Sequence, residues 1–162
     1  MNILHNLIIF IIQTLVSFLT LFCIYMVLVF IDNDFGFDVF LGLVFFQPIL
    51  AVILSGITIF FCFLLGLPIR LNSKINVWYR KHFYISIIGF FIGISMLIIA
   101  FMPAFKESVN YVFEDEVVLR SIPNLFYAIF GWFIIAFSTL HIYPPKVVTD
   151  RLQKIFRKKK LF

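Results

Sequence analysis

Four stretches of this chain, residues 7–31, 43–67, 83–102 and 125–143, contain none of its 21 charged side chains (13 Lys and Arg, 8 Asp and Glu). Each is about 19–25 residues long, and a helix rising about 1.5 Å per residue needs about 20 apolar residues to cross a bilayer core of about 30 Å. That spacing constrains the fold more than any other feature. Charged residues make up 13% of the chain and hydrophobic ones 63%, against about 25% charged in an ordinary soluble domain. The expected architecture is therefore all-α: a single integral membrane domain with a four-helix bundle crossing the membrane at 7–31, 43–67, 83–102 and 125–143, followed by a basic tail at 144–162.

The charges between the stretches sort by sign. The first gap holds Asp32, Asp34 and Asp38 and no base; the second holds Arg70, Lys74, Arg80 and Lys81 and no acid. The third holds Lys106 and Arg120 against Glu107, Glu114, Asp115 and Glu116, and the tail carries seven bases against Asp150. Lys and Arg near span ends stay on the cytoplasmic side, so both termini and the second gap are expected inside and the first and third gaps outside. The long first stretch, with no basic leader and no small-residue cleavage pattern, reads as a span and not as a cleaved signal peptide. The location implied is a cell membrane, the bacterial cytoplasmic membrane on the Phe-, Ile- and Lys-rich composition. Nucleic acid is not an expected partner, because the bases flank apolar spans instead of forming one basic face.

Proline marks the span edges: Pro68, Pro103, Pro123 and the pair at 144–145. Gln47-Pro48 interrupts the start of the second stretch, which suggests that its regular helix begins near Gln47, with proline at the tolerated first position. Gln47 and Asn124 stand at helix starts, where each can cap or bond across helices; capping is the expectation, with a small outer pocket lined by Gln47 as the alternative. Three flanking segments carry apolar residues at helical spacing. Leu71, Ile75, Trp78 and Tyr79, with Asn76 and Arg80 opposite, read as a helix at the inner surface. Phe105, Val109, Val112 and Phe113 read as an external amphipathic helix, and Val147, Val148, Leu152, Ile155 and Phe156 as a helix in the tail. Cys23 and Cys62 fall at opposite depths of antiparallel spans, too far apart to bridge, and are expected to be buried free thiols.

Candidate sites are few. Arg70, Lys74, Trp78, Arg80 and Lys81, with Arg157, Lys158, Lys159 and Lys160, form a basic and aromatic belt suited to anionic headgroups, each base near such a surface being worth about 1 kcal/mol. Ser86, Gly89, Gly93 and Ala100 form a small-residue stripe that lets helices approach closely, within the chain's own bundle by preference. Asp32, Asp34, Asp38, Glu114, Asp115 and Glu116 make an external acidic surface; the first three fail the calcium-loop pattern, with Gly36 at the fifth position and Phe37 at the sixth. His5, His82 and His141 all fall near the inner face and are the candidates for a metal or haem, although none has helix-borne ligand spacing. No cofactor is expected.

No paired carboxylates, nucleophile–base arrangement or phosphate loop stands in the sequence, and no Asp, Glu, Lys or Arg lies inside a span, which argues against ion-coupled transport. The leading expectation is a non-catalytic subunit or accessory partner of a membrane complex, bound to membrane lipids and to a protein partner or further copies of itself. The alternatives are handling of an anionic lipid or polyprenyl phosphate, as a flippase component or transferase, and resistance to a membrane-active toxin. For the last, the layout is similar to that of the colicin immunity proteins, which have four spans, both ends inside and lysine-rich tails, and it resembles small four-span flippase-like families equally well.

Overall fold

The computed structural model describes residues 3–32, 37–113 and 116–143. The chain is mostly helical, in the order α1 (Ile3–Asp32), α2 (Phe37–Leu65), α3 (Leu67–Leu71), α4 (Ser73–Lys81), α5 (Tyr84–Phe101), β1 (Glu107–Phe113), β2 (Glu116–Ile122) and α6 (Leu125–Leu140). Three helices, α1, α2 and α5, are long and apolar enough to cross a membrane, over Leu7–Ile31, Gly42–Leu65 and Tyr84–Phe101. The fourth, α6, is equally apolar but has 16 residues, about 24 Å of rise. Its apolar stretch continues into His141, Ile142 and Tyr143 without helix.

The helix α6 is the hub and packs against α1, α2 and α5. Leu21, Ile59, Cys62, Leu97, Ile135, Ala136 and Leu140 form the buried core. Outside it the surface is apolar: on α1 alone Leu7, Ile8, Ile11, Ile12, Leu15, Val16 and Leu19 are all exposed. A surface of that kind far exceeds the patches that water tolerates on a monomer, so lipid is its natural solvent. Cys62 is buried as expected, but Cys23 is exposed because it lies on the outward side of α1.

The closest helix crossing is that of α5 on α6. A β-carbon placed on Gly93 would stand 2.6 Å from Ile135 Cγ1 and 2.8 Å from the Gly131 carbonyl, and one on Gly131 would stand 2.8 Å from the Gly93 carbonyl. Ser86, Gly93 and Ala100 are buried in this contact, and Gly89 lies against the Ser138 hydroxyl. The small-residue stripe thus faces α6, and Gly131, which the sequence pattern did not single out, completes it from the other side.

Three expectations are corrected. The second long helix does not begin at Gln47: α2 runs through Pro48. Proline removes one N–H bond and crowds one carbonyl, a local cost of about 3 kcal/mol, and a helix embedded in apolar surroundings has no better alternative for its other backbone groups. Nor does Pro68 end that helix. The break falls at Gly66, and Pro68 sits in the first turn of α3, where its missing N–H costs nothing.

The third correction replaces the external helix with strands, so the fold is not all-α. Residues 107–122 form an antiparallel hairpin with register running from Glu107↔Ile122 to Phe113↔Glu116. Phe105 precedes it, and Val109, Val112 and Phe113 lie in β1. Val109, Val112, Val117, Val118 and Ile122 are β-branched and favour extended backbone, and residues 114 and 115 alone separate the strands. The hairpin is tied to the bundle at its base: Asn124 Nδ2 donates to Glu107 Oε1 at 2.7 Å, the Asn124 amide donates to the Ala100 carbonyl at 3.0 Å, and Phe105 meets Tyr127 edge-on.

Candidate functional site

The polar side chains of the bundle gather at the end that carries α3 and α4. There the last carbonyls of α6 have no intrahelical partners, and side chains from other elements supply them. Gln13 on α1 donates through Nε2 to the Ile142 carbonyl at 2.7 Å. Arg70 on α3 donates through Nη2 to the Leu140 carbonyl at 3.1 Å and to Gln13 Oε1 at 3.2 Å. Its guanidinium lies 4.7 Å from the Phe10 ring centre and 5.8 Å from that of Phe63. A cation at a helix C-terminus is favoured by the helix dipole, and the two rings add cation–π attraction. Burial pulls the Arg70 pKa down, with an opposing upward pull from Tyr143; an arginine keeps its charge all the same.

A second layer joins α4 to the same helix end. Asn72 caps α4 by accepting from the Lys74 and Ile75 amides. Asn76 donates to the Ile69 carbonyl at 3.1 Å and reaches the Tyr143 hydroxyl at 3.4 Å. Arg80 stacks 4.9 Å above the Tyr143 ring, and Tyr79 is buried edge-on to both His141 and Tyr143. Deeper in the bundle Ser86 on α5 donates to the His141 carbonyl at 3.1 Å, and the Ser17 and Thr139 hydroxyls lie 2.9 Å apart. Within α4 the side carrying Asn76, Tyr79 and Arg80 therefore turns toward the bundle, while Trp78 and Ile75 are exposed, as is Leu71 at the end of α3. A short helix is present over Ser73–Lys81, but Tyr79 belongs to the side turned toward the bundle and Leu71 to the preceding helix.

The basic belt is thereby divided. Arg70 and Arg80 turn to the protein, whereas Lys74, Lys81 and Trp78 are exposed on α4. Arg157, Lys158, Lys159 and Lys160 lie outside the described residues, as does the expected tail helix around Val147–Phe156. Of the acids, Asp34, Glu114 and Asp115 also lie outside them; Asp32 ends α1, Asp38 lies in the first turn of α2 and Glu116 opens β2.

His82 and His141 each make local contacts of their own. His141 is fully buried, stacks on Phe137 at 4.3 Å and pairs through Nδ1 with the Phe137 carbonyl at 2.9 Å. Its Nε2 has no hydrogen-bond partner among the described residues and presses against Gly66, which has no side chain to collide with it. His82 pairs instead with the Trp78 carbonyl and stacks on the Trp78 ring, and the His5 side chain is outside the described set. Among the described residues no three His, Cys, Asp or Glu come together to hold a metal ion.

The hairpin-side half of the bundle holds a different feature, a partly open cavity of about 670 Å³ walled by α1, α2, α5 and α6. Its polar groups are Tyr25, Gln47, Thr58 and Trp132. The Tyr25 hydroxyl donates to Gln47 Oε1 at 2.7 Å, so Gln47 links helices where a cap was expected, whereas Asn124 does cap α6 through the Tyr127 amide. Trp132 Nε1 donates to Thr58 Oγ1 at 2.9 Å. Nothing in the spacing of Tyr25, Gln47, Thr58 and Trp132 along the chain marks them as neighbours, because each comes from a different turn of three separate helices. No family model, curated protein or solved structure matches this chain.

Proposed function

We propose that this chain is a four-crossing membrane protein, with α6 as the fourth crossing and both ends of the sequence on the cytoplasmic side of a cell membrane, and that it serves as a non-catalytic subunit or accessory partner of a membrane complex. The observation that carries this reading is where the polar groups go. Gln13, Ser17, Arg70, Asn76, Ser86 and Thr139 bond from one element to another, so they hold a bundle together and are not presented to a substrate. The short α6 is compatible with crossing because Arg70, Tyr143 and the His141 backbone extend its inner end, and local thinning accommodates a short helix at a modest cost. What the bundle presents outward is an apolar belt for lipid, an acidic side bearing the hairpin and a basic side bearing α4.

The test is purification from native membranes in a mild detergent. A stoichiometric second protein that is retained through size exclusion and lost when hairpin or α4 surface residues are changed supports the reading. Recovery of this chain with bulk lipid alone contradicts it. A second reading, lipid handling, is favoured by the cavity between α1, α2, α5 and α6, since a membrane protein with an accommodating apolar groove and a few polar groups has the make-up of a ligand site.

A further inference from the structure

We propose that the cavity on the hairpin side of the bundle is a binding site for one acyl chain of a glycerolipid from that leaflet, with the ester carbonyl of the lipid accepting a hydrogen bond from the Gln47 side-chain amide. The inference rests on the membrane-crossing reading above and goes beyond it in naming a ligand and the group that recognises it. Size is the first argument. At about 670 Å³ the space is several times the ~150 Å³ cavity that takes a benzene ring. Shape is the second. Along α2 the lining runs from Gln47 to Phe61, fourteen residues or about 21 Å of helix rise, enough to span the ~15 Å depth of one leaflet's hydrocarbon. The groove is bordered by Leu54, Ile57, Phe61 and Ile129, all exposed to the bilayer side, so a chain enters sideways without leaving the membrane.

Polarity places the head end. Gln47 lies five residues into the apolar stretch that begins at Gly42, about 7.5 Å of rise below its outer edge. That is close to the boundary between headgroups and hydrocarbon, where ester carbonyls sit. Gln47 Oε1 is taken by the Tyr25 hydroxyl, which leaves its two Nε2 hydrogens with no partner among the described residues. An amide donor without a partner at that depth is costly in lipid unless an acceptor meets it. Deeper in, the polar atoms of Thr58 and Trp132 are already bonded to one another, so from there on the wall offers only contact with hydrocarbon.

The chain has two tryptophans, and Trp132 is on the cavity wall, so Trp78→Phe leaves a single reporter in the site. The full chain in detergent is titrated with a diacyl phosphatidylcholine brominated at mid-chain, and Trp132 quenching is followed. Saturation near one lipid per chain is expected. Gln47→Leu, or an ether-linked brominated lipid without ester carbonyls, should raise the midpoint about tenfold, the size of one hydrogen bond. Ala128→Phe, which fills the groove, should abolish saturation at unchanged helical content; if that variant does not fold, Gln47→Leu and the ether lipid decide. Quenching that rises linearly with lipid content, or a midpoint indifferent to both Gln47→Leu and the ether lipid, overturns the proposal. Failure of the crossing reading is distinguished because it is read by sidedness of labelling in cells, which the detergent titration does not touch.

Discussion

Arg70 joins three parts of the chain at one point, and its contacts set it apart from the exposed Lys74 and Lys81. The guanidinium bonds Gln13 on α1 and the Leu140 carbonyl at the end of α6 while lying over Phe10 and Phe63. Replacing it with Met leaves Gln13 Oε1 and that carbonyl short of a donor, at a cost of about 2 kcal/mol for charge-assisted bonds at a half-buried site. The expected result is a thermal midpoint in detergent lower by roughly 5 °C. Arg70→Lys should recover little of it, because an ammonium does not serve two acceptors in a plane while stacking on a ring. Lys74→Gln, at an exposed residue on α4, should leave the midpoint within about 1 °C, consistent with a small surface effect. A thermal shift series on the purified chain reads all three.

Elements meet where side chains are missing. The α5–α6 crossing is set by Gly93 and Gly131, each with the carbonyl of the other 2.8 Å from where a β-carbon would stand. Gly131→Ala should therefore force the helices apart and lower stability by about 1–3 kcal/mol, outweighing the ~1 kcal/mol that alanine adds in helix propensity. Gly56→Ala is the matched control: nothing lies within 4 Å of its β-carbon, so the same change there should be neutral or stabilising in chemical denaturation. The hairpin gives a second test at this scale. Ser108 is paired with Ser121, and paired strand residues lie within disulfide reach. Ser108→Cys with Ser121→Cys, in a background lacking Cys23 and Cys62, should cross-link on mild oxidation; an external helix over residues 105–113 would leave the pair unlinked.

These elements also mark how far the sequence could be read. The apolar stretches and the sign of each gap were legible because lipid excludes charge from every residue of a crossing, so that the rule acts on whole segments. The short helix at Ser73–Lys81 was legible for a different reason, its apolar residues at helical spacing, with Trp78 exposed. The hairpin was not, because Val109, Val112 and Phe113 satisfy a helical spacing over one turn as well as they sit in a strand, and what decides is their pairing with residues 116–122. Gly131 was hidden because its partner, Gly93, lies on another helix. The inward turn of Arg70 was hidden because a long side chain at a span end reaches either headgroups or helix ends, and local sequence does not distinguish the two. The cavity depended on bringing Tyr25, Gln47 and Trp132 together from three helices.

At the scale of the whole molecule, one arrangement accounts for the charge pattern, the exposed apolar belt and the two unlike ends. In the proposed arrangement, with four crossings and the basic side inside, eleven bases and one acid would lie on the cytoplasmic side and two bases and seven acids on the other. The proposed arrangement would put the end cross-braced by Arg70 and the α6 terminus inside, and the half with the hairpin and the groove at Gln47 outside. Single cysteines in a background lacking Cys23 and Cys62 test this directly. Leu119 on β2 is 72% exposed and Leu71 at the end of α3 is 79% exposed, so both should react readily once accessible. With a membrane-impermeant maleimide, Leu119→Cys should be labelled in intact cells and Leu71→Cys only after permeabilisation. Labelling of both positions from the same side would contradict the four-crossing arrangement, and the reverse pattern would contradict its orientation.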